Sequence, residues 1–327
     1  MPQRIKLAAL PTPLVPAPRL AAAVGLSSLL IKRDDLTGFA IPGNKARALE
    51  FLTAAARREN CDVLVTGGSA GSNFCAAAVA AARVAGLRCH LVLASGPPPA
   101  DPPGLALARS WGATVSWTLS DDRASVDEEL PRVADNYTAD GQRPYLLPRG
   151  GATALGAAGY ALAAWELRDQ LAAAGHRPGR IVVAVGSGCS LAGLIAGNVL
   201  LGRPWRLLGA SVSRPASDTA ARVLGLARGC ATLLAGQDQA AGTVTEDDVD
   251  LVDARGPGFG LASDADRRTA RTALDTEGLL VDPVYTAKAL RVACGLAGER
   301  GVVFWHTGGL LDAVMAAQDG SQEERQR

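Results

Sequence analysis

The sequence predicts an α/β protein built from two doubly wound parallel-sheet domains. Three observations carry this reading. Short apolar runs alternate with Ala-rich helical stretches along most of the chain, the spacing of βαβ units. Several of these runs end in Gly-rich turns that open helices, as parallel strands do at the crevice of an open sheet. With 327 residues, 48% of them hydrophobic, the chain is long enough for two domains with sizeable cores.

Residues 10–14, Leu-Pro-Thr-Pro-Leu, and the prolines that follow are too irregular for helix and read as an extended lead-in. Residues 28–32 are a short apolar strand ending in Arg33-Asp34-Asp35, and the Ala/Leu/Arg stretch 46–59 has helical character. Strand and helix then alternate: 62–66 with 73–85, 89–94 with 104–110, 114–119 with 126–137, closing on the strand 144–147. Beyond the Gly150-Gly151 turn, 155–174 is a long helix, and 180–185 is β-branched and apolar throughout, the mark of a strand buried on both faces. Helix 191–200, strand 206–211, strand 249–252, helices 264–277 and 286–296 and strand 302–305 complete the second unit. A boundary is expected near residue 150, and the Pro-rich residues 94–103 read as a surface loop.

Composition excludes several classes. A formal net charge of +1 gives no electrostatic reason to expect nucleic acid or an anionic membrane as partner. The longest apolar runs are too short and too interrupted to span a bilayer, and no signal-type apolar segment follows Met-Pro-Gln-Arg, so a cytoplasmic location is expected. Six Cys without a CxxC pair and three dispersed His point to neither a metal site nor a disulfide framework.

The chemistry is sought at the Gly-rich turns and at one lysine. The chain has four Lys against 29 Arg, and Lys45 follows Gly43-Asn44 at the start of a helix, where the dipole favours a lowered pKa. A lysine amine can be desolvated and used as a nucleophile on a carbonyl, which an arginine cannot. The turn 66–73, Thr-Gly-Gly-Ser-Ala-Gly-Ser-Asn, delivers Ser72 and Asn73 at a helix N-terminus. The turn Gly186-Ser187-Gly188-Cys189-Ser190 offers backbone N–H groups suited to a phosphate, without the Lys of a P-loop. A dinucleotide would want an acidic residue after the next strand, and Ser211-Val-Ser-Arg offers none. The third turn is His306-Thr307-Gly308-Gly309, and Asp282-Pro-Val-Tyr285-Thr286 sets a phenol and a hydroxyl at another helix start. An isolated His is more often a packed residue than a catalyst. An amine for an aldehyde, a cradle for a phosphate and polar groups for a ring are what pyridoxal phosphate needs.

With these motifs assembled, the sequence resembles the D-cysteine desulfhydrase and 1-aminocyclopropane-1-carboxylate (ACC) deaminase family, fold type II of the pyridoxal-phosphate enzymes, the tryptophan synthase β-like fold. The resemblance runs through residues 31–38 (Ile-Lys-Arg-Asp-Asp-Leu-Thr-Gly), 43–47 (Gly-Asn-Lys-Ala-Arg), Ser72-Asn73, 150–160, 186–193, 282–286 and 306–309. It implies a large cofactor-binding domain of residues 1–47 plus 153–327, and a smaller α/β domain of 48–152. It implies that Lys45 bonds the cofactor aldehyde and moves the α-proton, and that Asn73 meets its phenolic oxygen. It further implies that Ser72 contacts the substrate carboxylate or moves a proton, and that Tyr285 lies over the active site. Gly186, Ser187, Gly188, Cys189 and Ser190 would hold the phosphate, Thr286 would face the ring nitrogen, and Thr307 would complete the cofactor site. A homodimer acting on a small amino-acid substrate, with no metal, is the corresponding expectation.

Departures from the family pattern discriminate among its activities. ACC deaminases carry Glu where this chain has Thr286 and a second Tyr where it has Phe259; losing both argues against ring opening and for β-elimination from cysteine or an S-substituted cysteine. The alternatives are ACC deamination and β-replacement. Phe74 stands where His or Gln is usual, and Cys189 where Gly is common in the phosphate loop. Phe74 removes a polar group near the substrate, which leads one to expect a bulkier or less polar β-substituent than a thiol.

Overall fold

The computed structural model describes residues 2–236 and 242–325. The chain opens with a short strand β1 (Leu14–Pro16), helix α1 (Pro18–Val24), whose first residue is a proline that needs no hydrogen-bond partner, and strand β2 (Leu29–Arg33). Helix α2 (Lys45–Arg58) leads to β3 (Val63–Gly68), α3 (Asn73–Val84), β4 (Arg88–Leu93), α4 (Pro103–Ser110), β5 (Thr114–Trp117), α5 (Ala124–Ala139) and β6 (Pro144–Leu146). The second half runs α6 (Ala154–Ala174), β7 (Arg180–Val185), α7 (Cys189–Leu200), β8 (Arg206–Ser211), α8 (Ala216–Ala235) and β9 (Asp250–Asp253). It closes with α9 (Asp264–Glu277), α10 (Thr286–Cys294), β10 (Val302–His306) and α11 (Leu310–Arg325).

Two sheets result. One has six strands in the order β1-β2-β10-β7-β8-β9, and the other four in the order β5-β4-β3-β6. Every pairing is parallel except that of β1 with β2, where Leu14 faces Lys32 and Val15 faces Ile31. The lead-in expected to be merely extended thus serves as an edge strand, where Pro16 interrupts no ladder. Strand β7 shows why its sequence is apolar on both faces. Ile181, Val183 and Val185 enter one core with α6 and α7, while Val182 and Ala184 enter another with α1 and α10.

Helices α6 and α7 approach unusually closely through small residues one turn apart. A Cβ on Gly193 would lie 2.1 Å from the Ala157 carbonyl oxygen, and one on Gly197 2.6 Å from that of Ala161. The same device seats α2 on α6, because a Cβ on Gly159 would lie 2.1 Å from the Arg47 carbonyl oxygen. A Gly193→Ala substitution must push two packed helices apart, so it is expected to cost about 1–3 kcal/mol. Urea denaturation of the two proteins checks it.

Three helices go beyond the sequence reading. Helix α1 has only seven residues, the 20-residue α8 buries mainly small side chains (Thr219, Ala227, Cys230 and Ala231 beside Val223), and α11 comes after the last Gly-rich turn. Helix α8 carries Arg222 to the cavity at the carboxyl edge of the larger sheet.

Candidate active site

The cavity at the carboxyl ends of β3, β7, β8 and β10 brings together all three turns singled out above, together with Lys45, Asp282 and Tyr285. Its placement follows from topology, since parallel strands deliver their turns to one edge of the sheet.

Lys45 is the first residue of α2, and close backbone contact fixes it there. Gly43 exchanges two 2.9 Å hydrogen bonds with the Thr37 hydroxyl, and Asn44 N–H donates to the Thr307 carbonyl at 3.0 Å. A Cβ on Gly308 would lie 2.7 Å from the Gly43 Cα, so this crossing admits only glycine there. Among the described residues no hydrogen bond or ion pair engages the Lys45 amine, and burial pulls its pKa below the usual lysine range, opposed by the charges of Cys189, Asp282 and Asp34. The other lysines are elsewhere. Lys32 is buried and bonded to Thr12, Glu166 and Gln170, Lys288 is buried and bonded to the carbonyls of Arg255 and Gly258, and Lys6 is exposed. Lys45 is the lysine that lines the cavity.

Facing it is the start of α7. Gly188 caps this helix at φ 92°, and its first-turn N–H groups, on Cys189, Ser190 and Leu191, find no acceptor among the described residues. Ser190 Oγ accepts from Asn44 Nδ2 at 2.9 Å, tying the lysine loop to this turn, and the buried Asn44 Oδ1 has no partner among the described residues. Cys189 contributes backbone only. Its thiol points to the Gly151 carbonyl and is pushed up to about 12 by burial. The donors at a helix start and the Arg222 side chain beside them, whose Nε donates to the Ser187 carbonyl, are chemically suited to a phosphate. An unengaged, desolvated amine across the same cavity is suited to an aldehyde, so the residues present fit pyridoxal phosphate.

Ser72 and Asn73 stand together at the start of α3. Ser72 caps the helix by accepting from Cys75 N–H at 3.3 Å, and Asn73 Nδ2 donates to Asp312 at 2.8 Å. Asp312 titrates at about 6, raised by burial and the nearby Asp282 and held down by Asn73. A raised carboxyl pKa means the folded state binds the proton more tightly, so stability falls as pH rises through the window from about 4 to 6. Asp312→Asn is therefore expected to gain in melting temperature relative to the parent protein across that window. A thermal scan at pH 4 and pH 7 measures it.

Tyr285 lines the cavity with its ring edge-on to Phe259, centroids 6.0 Å apart, and against Gly186, where a Cβ would come within 3.0 Å of the ring. Thr286 departs from expectation. It is fully buried outside the lining, and its hydroxyl is turned to the Asp282 carboxylate, which also accepts the N–H groups of Val284, Tyr285 and Thr286. Asp282, like Tyr285, reaches the cavity from that motif, and burial raises its pKa. Thr307 lines the cavity too. His306 is spent on packing, with Nε2 on the Leu280 carbonyl at 2.7 Å and Nδ1 accepting from Gly308 N–H at 3.2 Å.

Sequence reasoning missed the basic side of the site. Arg123, Arg149, Arg214 and Arg222 all line the cavity. The available signal was Arg214, the basic residue shortly after β8 where an acidic one was sought and not found.

Comparison with known proteins places this arrangement. Residues 5–308 match the profile of the family described as "Pyridoxal-phosphate dependent enzyme". The chain is 36% identical over 322 residues to the D-cysteine desulfhydrase of Salmonella paratyphi C, covering 94% of each protein. It is 35% identical over 321 residues to that of Klebsiella pneumoniae, again covering 94% of each. A solved structure titled as an ACC deaminase homologue superposes with a TM-score of 0.87 at 31% identity, covering 95% of this chain and 93% of that one.

Proposed function

This chain belongs to the pyridoxal-phosphate dependent enzyme family, and on that premise we propose that it catalyses β-elimination from cysteine or an S-substituted cysteine. The products are a 2-oxoacid, ammonia, and sulfide or a thiol. The observation that carries the reading is that, of four lysines, Lys45 is the one in the cavity, opposite the unpartnered N–H groups of α7.

When bound, pyridoxal phosphate supplies an electron sink for a carbanion at the substrate's α-carbon. Lys45 would hold it through the aldehyde, the first turn of α7 and Arg222 through the phosphate, and Asn73 through the phenolic oxygen. Burial, which lowers the pKa of Lys45, favours the neutral amine, whose Nζ takes the α-proton and carries it. Ser72 and the N-terminus of α3 offer the α-carboxylate a hydroxyl and the positive end of a helix. Tyr285 covers the cavity and sheds water from the reacting carbon. In balance, the Cα–H and Cβ–S bonds break, sulfur leaves with its electron pair, and one water is consumed in releasing oxoacid and ammonia.

Thr286 and Phe259, where ACC deaminases have Glu and Tyr, leave no second carboxylate or phenol for cyclopropane opening, which favours elimination. Six unpaired cysteines accord with a reducing cytoplasm, and the proposal includes a homodimer. The test is oxoacid release from D- and L-cysteine, S-substituted cysteines and ACC. Release from a cysteine derivative is expected; release from ACC alone overturns the reading.

A further inference from the structure

The cavity holds more positive charge than this reaction consumes. Lys45 and four arginines line it against one carboxylate, Asp282. Arg149 is matched, because Asp127 holds it in a two-point ion pair. Arg222 is placed by the Ser187 carbonyl beside the phosphate cradle. Arg123 and Arg214 remain. Neither guanidinium makes a hydrogen bond or an ion pair among the described residues, and the Arg123 Nε is buried without a partner.

Their positions are built rather than incidental. Arg123 immediately precedes α5 and lies over the Phe259 ring at 4.2 Å, so the ring found where ACC deaminases carry a phenol seats a guanidinium by cation–π contact. Phe259 is in turn packed edge-on against Tyr285. Arg214 follows β8 from the other sheet, and its pKa is lowered by burial and by repulsion from Arg149, Arg222 and Arg123. Like charges gathered in a half-buried cleft repel at a cost that an anion between them reverses. The cofactor's phosphate belongs to α7 and the α-carboxylate to α3, which leaves this pair without an anion. Phe74, meanwhile, packs against Gly151 and lines the same cavity, so an apolar ring and the two arginines border it together.

We infer that Arg123 and Arg214 bind a second anionic group carried on the substrate's β-substituent, so that the enzyme acts on an S-substituted cysteine whose sulfur arm ends in a carboxylate or a comparable acid. The inference rests on the elimination reading and narrows its substrate class. It runs counter to the expectation of a less polar substituent drawn from Phe74, which lines the same cavity.

Two pairs of probes test it in the cofactor-loaded enzyme. Succinate and succinamate have the same length and cannot react, and calorimetric titration should show succinate bound at least about tenfold more tightly. S-(carboxymethyl)cysteine should exceed S-(carbamoylmethyl)cysteine in kcat/KM by a similar factor. Both ratios should fall towards one in Arg123→Gln/Arg214→Gln and persist in Arg123→Lys/Arg214→Lys. Equal succinate and succinamate binding, or oxoacid released equally from both conjugates, overturns the inference while leaving elimination intact. Succinate preference with no oxoacid from any cysteine derivative sinks the elimination reading and leaves the anion site standing.

Discussion

Lys45→Ala protein is expected to fold normally and to lose oxoacid release by on the order of 10³-fold or more, because it removes both the covalent anchor and the base. The residue lies at the first position of α2, where its side chain reaches the cavity and bears no fold-stabilising bond, so circular dichroism and urea midpoint should change little. Lys45→Arg should be as inactive as the alanine variant. An arginine keeps charge and length but stays protonated, and so can neither attack an aldehyde nor accept a proton. Retained turnover in Lys45→Arg would show that only the positive charge matters at this position.

The second large effect concerns stability. Two residues beyond Lys45, the Arg47 guanidinium is 1% exposed and held between Asp34, at 2.9 and 2.8 Å, and Glu166, at 3.0 Å. Asp34 is itself fully buried and also accepts from Trp305 Nε1 and Thr12 Oγ1, both at 2.8 Å. Asp34→Ala strands a buried guanidinium and is expected to cost about 3–5 kcal/mol, whereas Asp34→Leu/Arg47→Met should cost less than either single change. Urea midpoints decide. The carboxyls of Asp34 and Glu166 both titrate below their ordinary values. Their stabilisation is therefore present above the unfolded value of about 4 and fades as pH falls through the lowered folded values. Asp34→Ala should flatten that acid loss.

What was legible in the sequence was what period and turn chemistry encode locally. Residues 180–185 announce a strand buried on both faces, and Gly188, Gly308 and Gly309 announce turns whose positive φ strains any other residue. Lys45 stood out because lysine is so scarce in this chain. The same bias hid the rest. With 29 arginines, nothing in Arg47, Arg123 or Arg214 separates a buried or site residue from a surface one. Their meaning depends on partners far away in sequence, such as Glu166 for Arg47 and Phe259 for Arg123. The motif 31–38 and 43–47 likewise mixes two jobs that spacing cannot separate. Lys32, Asp34 and Arg47 build a buried ion network, and Lys45 alone of that stretch turns its charge to the cavity. Thr286 shows the converse, a residue in a site motif whose hydroxyl serves its own helix start.

The most direct measurement is reduction of the purified, cofactor-loaded protein with borohydride, followed by proteolysis and mass mapping of the pyridoxyl group. The account requires the label on Lys45. A label on Lys6, Lys32 or Lys288, with Lys45 unmodified, would contradict it.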